Sequence, residues 1–246
     1  MAYTAIDDPS AYFKVQLYTG NGTAIGSGGN AITFNDTDTD MQPDMVWLKS
    51  RSSVEHHMLF DAVRGVTKAL KASATDAEAT GSEFLTAFGS DGFTLGSHDK
   101  VNANTVTYAA WCWKEASGIF DIVSYTGNGS ARTISHNLSA VPRMMLVKRR
   151  DSTSRWSMYL GVLGDEKMME LNTTDTVWTN RDEWNEATPT SSVFPLGTGG
   201  DAGDVNTDSA TYVNYLWSEK QGFSKFGSYI GNGNADGTFV YTGFKP

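Results

Sequence analysis

A pentapeptide that the chain says three times constrains its fold more than any other feature. Tyr18-Thr19-Gly20-Asn21-Gly22 recurs as Tyr125-Thr126-Gly127-Asn128-Gly129 and, with one change, as Tyr229-Ile230-Gly231-Asn232-Gly233. Each copy ends a strand-like run: Phe13 to Tyr18, Ile119 to Tyr125, and Phe223 to Tyr229. Asn-Gly suits a tight corner, because Asn tolerates positive φ and Gly has no side chain to clash. The copies are spaced by 107 and then 104 residues, which points to an internal repeat rather than one hairpin.

The strand that closes each copy sets the register of the repeat. Tyr108-Ala109-Ala110-Trp111-Cys112-Trp113 matches Tyr212-Val213-Asn214-Tyr215-Leu216-Trp217, and the match then runs ungapped to Pro142 and Pro246 with 11 of 35 positions identical. Upstream, Pro43-Asp44-Met45-Val46-Trp47-Leu48-Lys49 answers Pro142-Arg143-Met144-Met145-Leu146-Val147-Lys148. Proline can open a strand because it forfeits only the first ladder hydrogen bond. Ala24 to Gln42 reads as a loose insertion, since Tyr18 to Pro43 spans 25 residues where the equivalent distances are 17. Phe13 to Tyr18 alternates apolar and polar residues, as a strand with one buried face does. Ala62 to Glu78 and Asp165 to Leu171 carry weak helical periodicity, compatible with a short helix or 3₁₀ turn in each.

The expected fold is therefore all-β. Residues 1–12 form an N-terminal arm; 13–118 and 119–222 are two tandem β-sandwich or jelly-roll repeats of about 105 residues, each closing its own core. Residues 223–246 are either a C-terminal hairpin starting a third copy or a closing piece packed on what precedes it. Composition agrees: charged residues are only 19% and aromatics 12%, a balance that suits short strands joined by polar turns.

The same numbers exclude several functions. A net charge of −9 with no basic run longer than Lys148-Arg149-Arg150 leaves nucleic-acid binding without electrostatic support. No stretch approaches the roughly 20 apolar residues that span a bilayer. The N-terminal residues lack the basic and apolar regions of a secretory signal, so a cytosolic start is expected. Cys112 is the single cysteine, which rules out an intramolecular disulfide and, between two tryptophans in a strong strand, reads as a buried thiol.

Motifs for chemistry are sparse. His56, His57, His98 and His136 do not converge on a catalytic metal pattern. Asp36, Asp38 and Asp40 have the alternate spacing that calcium loops use, but Met41 and Trp47 stand where such a loop needs Gly and Glu, so only a looser surface calcium site is open to them. Asp201, Asp204 and Asp208 form a weaker cluster of the same kind. No cofactor is expected beyond such a calcium ion. Asp182, Glu183 and Glu186 near Trp178 and Trp184 resemble a sugar-cleaving pair only loosely, because nothing fixes their separation. The segment Trp178 to Asn185 suits passive glycan binding better. There Trp178 and Trp184 would stack on sugar rings while Asn180, Asp182 and Arg181 bond hydroxyls; the competing reading makes both tryptophans core or contact residues.

With these phrases in hand, the sequence resembles a known family: tandem-repeat virion structural proteins of marine tailed bacteriophages, with concanavalin A-like or laminin G-like jelly rolls. The resemblance covers nearly the whole chain. It is carried by Ile6-Asp7-Asp8-Pro9-Ser10-Ala11-Tyr12-Phe13, the corner, Pro43 to Lys49, Leu59-Phe60-Asp61-Ala62-Val63-Arg64-Gly65, Asp91 to Gly96, Tyr108 to Lys114, and Gly222 to Gly233 with Phe239-Val240-Tyr241-Thr242-Gly243-Phe244. It implies a non-enzymatic tail-fibre, tail-associated or capsid-decoration protein, assembled into virions in the host cytoplasm. Its partners would be other virion proteins and further copies of itself, with host-surface glycan as the alternative. The resemblance transfers no catalytic residues.

Overall fold

The computed structural model describes residues 6–34, 39–198 and 204–244. Their regular structure is almost entirely antiparallel β, as the sequence predicts. The first large sheet has the order β1 (Phe13–Thr19), β9 (Thr107–Trp113), β3 (Met45–Ser50), β4 (Met58–Asp61), β5 (Lys68–Lys71), β6 (Ala79–Thr80). The second has the corresponding order β10 (Phe120–Thr126), β17 (Thr211–Ser218), β12 (Pro142–Arg149), β13 (Trp156–Leu160), β14 (Lys167–Glu170), β15 (Trp178–Thr179). A small sheet faces each. It is β2 (Asn30–Thr33), β8 (Gly92–Leu95) and β7 (Leu85–Gly89) on the first, and β11 (Arg132–Ser135) with β16 (Val193–Leu196) on the second.

Three cores hold these layers. Val46, Leu48, Phe60 and Cys112 of the first large sheet pack with Ile32, Phe93 and Leu95 of its small sheet. Met145, Val147, Tyr159 and Leu216 pack with Phe194 and Leu196 in the same way. The third core joins the remaining faces of both large sheets, where Met45, Leu59 and Leu70 meet Leu146, Trp156, Tyr215 and Trp217. The two large sheets thus share a core besides packing against a small sheet each, and the order is small sheet, large, large, small. Central strands buried on both faces carry apolar residues without alternation. Every residue of β17 after Thr211 is buried.

One open alternative closes and three sequence expectations change. Residues 62–78 and 165–171 hold turns with β5 and β14 rather than a helix, because pairing with β4 and β13 outweighs weak periodicity. The loose insertion 24–42 contains β2, which pairs with β8. The edge strand β1 turns the opposite face inward: Lys14 is buried while Val15 and Leu17 are 52% and 54% exposed. Tyr18 fixes that parity, since it packs against the first core and so places Lys14 and Gln16 on its own side. Finally, no strand forms within 223–244, although hydrogen bonds from Thr238 to Ile230 and from Lys225 to Tyr241 fold the segment back on itself.

Polar ties cross the shared core. Tyr215 donates to Asp61 Oδ2 at 2.6 Å from the opposite sheet. Arg64, its side chain wholly buried, pairs with Asp61 and donates to Glu78 Oε2 (3.0 Å) and Leu59 O (3.1 Å). Glu78 in turn accepts Arg150 Nε at 2.9 Å. Trp156 Nε1 donates to Lys71 O at 2.9 Å, and the buried Lys148 ammonium donates to Thr75 O and Ser154 O at 3.1 and 2.8 Å.

The connection between β9 and β10 gathers three carboxyls. Asp44 Oδ2 accepts Glu115 N (2.8 Å), Glu115 Oε1 accepts Ile122 N (2.9 Å), and Asp121 Oδ2 accepts Asn137 N (2.6 Å). Burial, reinforced by Asp121 and Asp44, pushes the Glu115 carboxyl up to about 7 from its ordinary 4.5. Between those values the folded chain holds a proton that the unfolded chain has lost, so this group's stabilisation is full below 4.5 and falls as pH rises through 7. Glu115→Gln is expected to flatten that slope and to raise stability at pH 8 by about 1 kcal/mol, after discounting for solvent screening of a half-buried group. Thermal melts at pH 4.5, 6 and 8 check this; an unchanged slope contradicts it.

Candidate functional site

The expected sugar platform does not assemble. Trp184 is fully buried against Tyr159, with ring centroids 5.6 Å apart, and donates Nε1–H to Lys167 O at 3.1 Å. It is a core residue. Trp178 sits on the edge strand β15, 37% exposed, with the Arg155 and Arg181 guanidinium carbons 5.7 and 5.3 Å from its ring. Asn180, Asn185 and Glu186 adopt positive φ of 57°, 50° and 47°, so the loop that carries Trp184 departs from a regular strand on both sides of it. Asn180 is exposed, while Asp182 Oδ2 accepts Thr198 N at 2.9 Å and so belongs to the loop's own frame. Glu183 is buried and paired with Arg181, which spends the second carboxylate of the loosely matched sugar-cleaving pair.

Asp36 and Asp38 lie outside the described residues, as does Asp201, and Asp40 is exposed. Asp204 pairs with Arg155 at 3.2 Å. Among the described residues no group of three or more His, Cys, Asp or Glu could hold a metal ion. Nor is any described helix long and apolar enough to cross a membrane. Cys112 is buried, and burial pushes its thiol well above the ordinary range, as an inert core residue requires.

The repeated corner shows a sharper pattern. Two corners are locked in place by the same contacts. Tyr18 stacks on Tyr108 with centroids 5.0 Å apart, and Tyr125 on Tyr212 at 5.1 Å. Their hydroxyls donate to Val101 O and Val205 O, each at 2.7 Å. Gly20 N and Gly127 N donate to Val106 O and Ala210 O, each at 2.8 Å. The buried Asn102 and Asn206 then receive Asn21 N and Asn128 N on Oδ1, at 2.9 and 3.2 Å. Glycine is required by the close approach: a Cβ on Gly20 would lie 2.2 Å from Ala103 O, and one on Gly127 2.0 Å from Thr207 O.

The third corner has the turn without the docking. Asn234 N donates to Asn232 Oδ1 at 3.0 Å, as Thr23 N does to Asn21 at 2.8 Å and Ser130 N to Asn128 at 3.0 Å. Gly233 has φ of 67°, beside 65° at Gly22 and 66° at Gly129. Such a turn needs only its own residues, so it forms whether or not anything packs on it. Tyr229 and Ile230 are 70% and 88% exposed, and among the described residues a Cβ on Gly231 would meet nothing within 4 Å. Across the turn Phe239, Val240 and Tyr241 are exposed too. Thr238 Oγ1 donates to Ile230 O (2.7 Å) and Lys225 Nζ to Tyr241 O (3.3 Å), which draws the two limbs together. Single apolar residues at a surface are ordinary, whereas five exposed on one short segment are not.

A family model described as "Domain of unknown function (DUF7483)" matches residues 8–246. No curated protein and no solved structure matches the chain.

Proposed function

The chain belongs to this DUF7483 family, and for it we propose a non-enzymatic structural role in a tailed-bacteriophage virion, as a tail-fibre, tail-associated or capsid-decoration component. In this reading residues 13–118 and 119–222 are two tandem β-sandwich repeats. The corresponding strand orders of the two large sheets and the matched corner contacts support that division. Residues 223–244 attach the protein to neighbouring virion proteins or to further copies of itself.

The observation that carries the proposal is the third corner. Its turn is built as in the other two, its Tyr229 holds the place in the phrase at which Tyr18 and Tyr125 stack on a partner, and its apolar side chains face solvent. A β-sandwich edge on another subunit would bury those side chains and supply the missing acceptors. Amide hydrogen exchange on the free chain and on assembled particles tests this. Protection gained over residues 229–241 in particles is expected. A chain that sediments as a monomer and never copurifies with particles overturns the proposal.

A further inference from the structure

At one margin of the shared core the two large sheets part to leave an open cleft of about 680 Å³, within the range of small-ligand sites. Trp47 of β3 and Leu171, just after β14, supply its apolar surface. The indole is held in a fixed pose: Trp47 Nε1 donates to His57 Nδ1 at 3.1 Å, and the two rings meet edge to face at 77°. A Nδ1 that accepts leaves the neutral imidazole's proton on Nε2, so His57 offers a donor. The rim is polar and adaptable. Thr174 contributes a hydroxyl, the Ser73 and Thr173 hydroxyls already accept His57 N (3.2 Å) and Asp175 N (3.3 Å), and Asn172, whose Oδ1 accepts Trp156 N (2.9 Å), contributes its amide N–H groups.

Charge narrows the ligand. Among the cleft residues Asp175 is the one carboxylate, and none is lysine or arginine. Phosphate, sulfate and nucleic acid would meet a negative site on a chain of net charge −9. A cleft that combines an indole with hydroxyl, amide, imidazole and carboxylate groups fits instead a molecule with a C–H face and many hydroxyls. The second sandwich has no counterpart, because Leu146 and the buried Trp156 occupy the places of Trp47 and His57.

We propose that this cleft, formed by Trp47, His57, Ser73, Asn172, Thr174 and Asp175, is a binding site for an uncharged saccharide. The site is separate from the C-terminal segment, so it stands or falls independently of attachment. The test is a screen of the full chain against neutral and anionic glycans, followed by calorimetry with the best neutral hit. NMR of the Trp47 indole N–H provides a second readout. Binding of a neutral saccharide with a Kd of about 1 mM or tighter is expected. Trp47→Ala should weaken it at least tenfold. Because Trp47 also touches the shared core, Thr174→Arg on the exposed rim serves as the variant that leaves the fold intact, with the same expected loss. Three outcomes would overturn the assignment: no neutral glycan bound, preference for anionic glycans or for peptides, or affinity unchanged in a folded Thr174→Arg protein.

Discussion

Arg64→Ala is expected to lower the unfolding free energy by about 3–5 kcal/mol, the range for removing one partner of a buried ion pair. The guanidinium is fully buried, and it serves Asp61, Glu78 and the Leu59 carbonyl at once. Burial works against its charge, yet Tyr215, Asp61 and Glu78 together hold it above the ordinary value. Without it, the buried Asp61 carboxylate is left between two sheets with the Tyr215 hydroxyl and the residue 64 backbone N–H as its donors. In the second large sheet an apolar residue holds the matching register, since Leu160 lies opposite Met144 as Asp61 lies opposite Met45. The double change Asp61→Leu with Arg64→Met is therefore expected to recover most of the loss. Urea midpoints of the three proteins measure this. A loss under 1 kcal/mol in Arg64→Ala would mean that the network carries little of the sheet-to-sheet adhesion.

The second large effect separates docked corners from the open one. Gly20→Ala and Gly127→Ala each drive a Cβ into a backbone carbonyl, at 2.2 and 2.0 Å, where no flexible side chain can yield. Each is expected to cost about 2–3 kcal/mol, at the upper end for overpacking, and to lower Tm by several degrees. Gly231→Ala places the same methyl where nothing lies within 4 Å among the described residues, and should stay within about 0.5 kcal/mol of the parent. Nearly identical sequence phrases thus predict opposite tolerances. Equal destabilisation at all three glycines in the free chain would show that the third corner is already packed.

Much of the fold was legible in residue order. The corner phrase located three turns, and the Asn side chains at Asn21, Asn128 and Asn232 make the same local bond in each. Cys112 could be assigned to the core from its neighbours. The shared core left a trace that was easy to underrate: Tyr108 to Trp113 and Tyr212 to Trp217 lack alternation because both faces are covered. What could not be read was which face of a short segment turns inward. In β1 the apolar Val15 and Leu17 suggested the buried face, yet the anchoring of Tyr18 sends them outward. Trp184 looked like a partner of Trp178 by proximity, but it lies in the core, on a loop with positive φ at Asn180, Asn185 and Glu186, and no periodic rule anticipates such a path. The Trp47 cleft was invisible for a related reason, since its two walls are 124 residues apart at Trp47 and Leu171.

The central claim is that the third corner awaits a partner, and the amide of Gly231 reports on it most directly. In the free chain Gly20 and Gly127 should exchange slowly, because their N–H groups are bonded to Val106 O and Ala210 O, while Gly231 exchanges near the rate of an open turn. In purified particles Gly231 should slow by roughly a hundredfold and join the other two. A Gly231 amide that is slow in the free chain, or fast in the particle, would contradict the account.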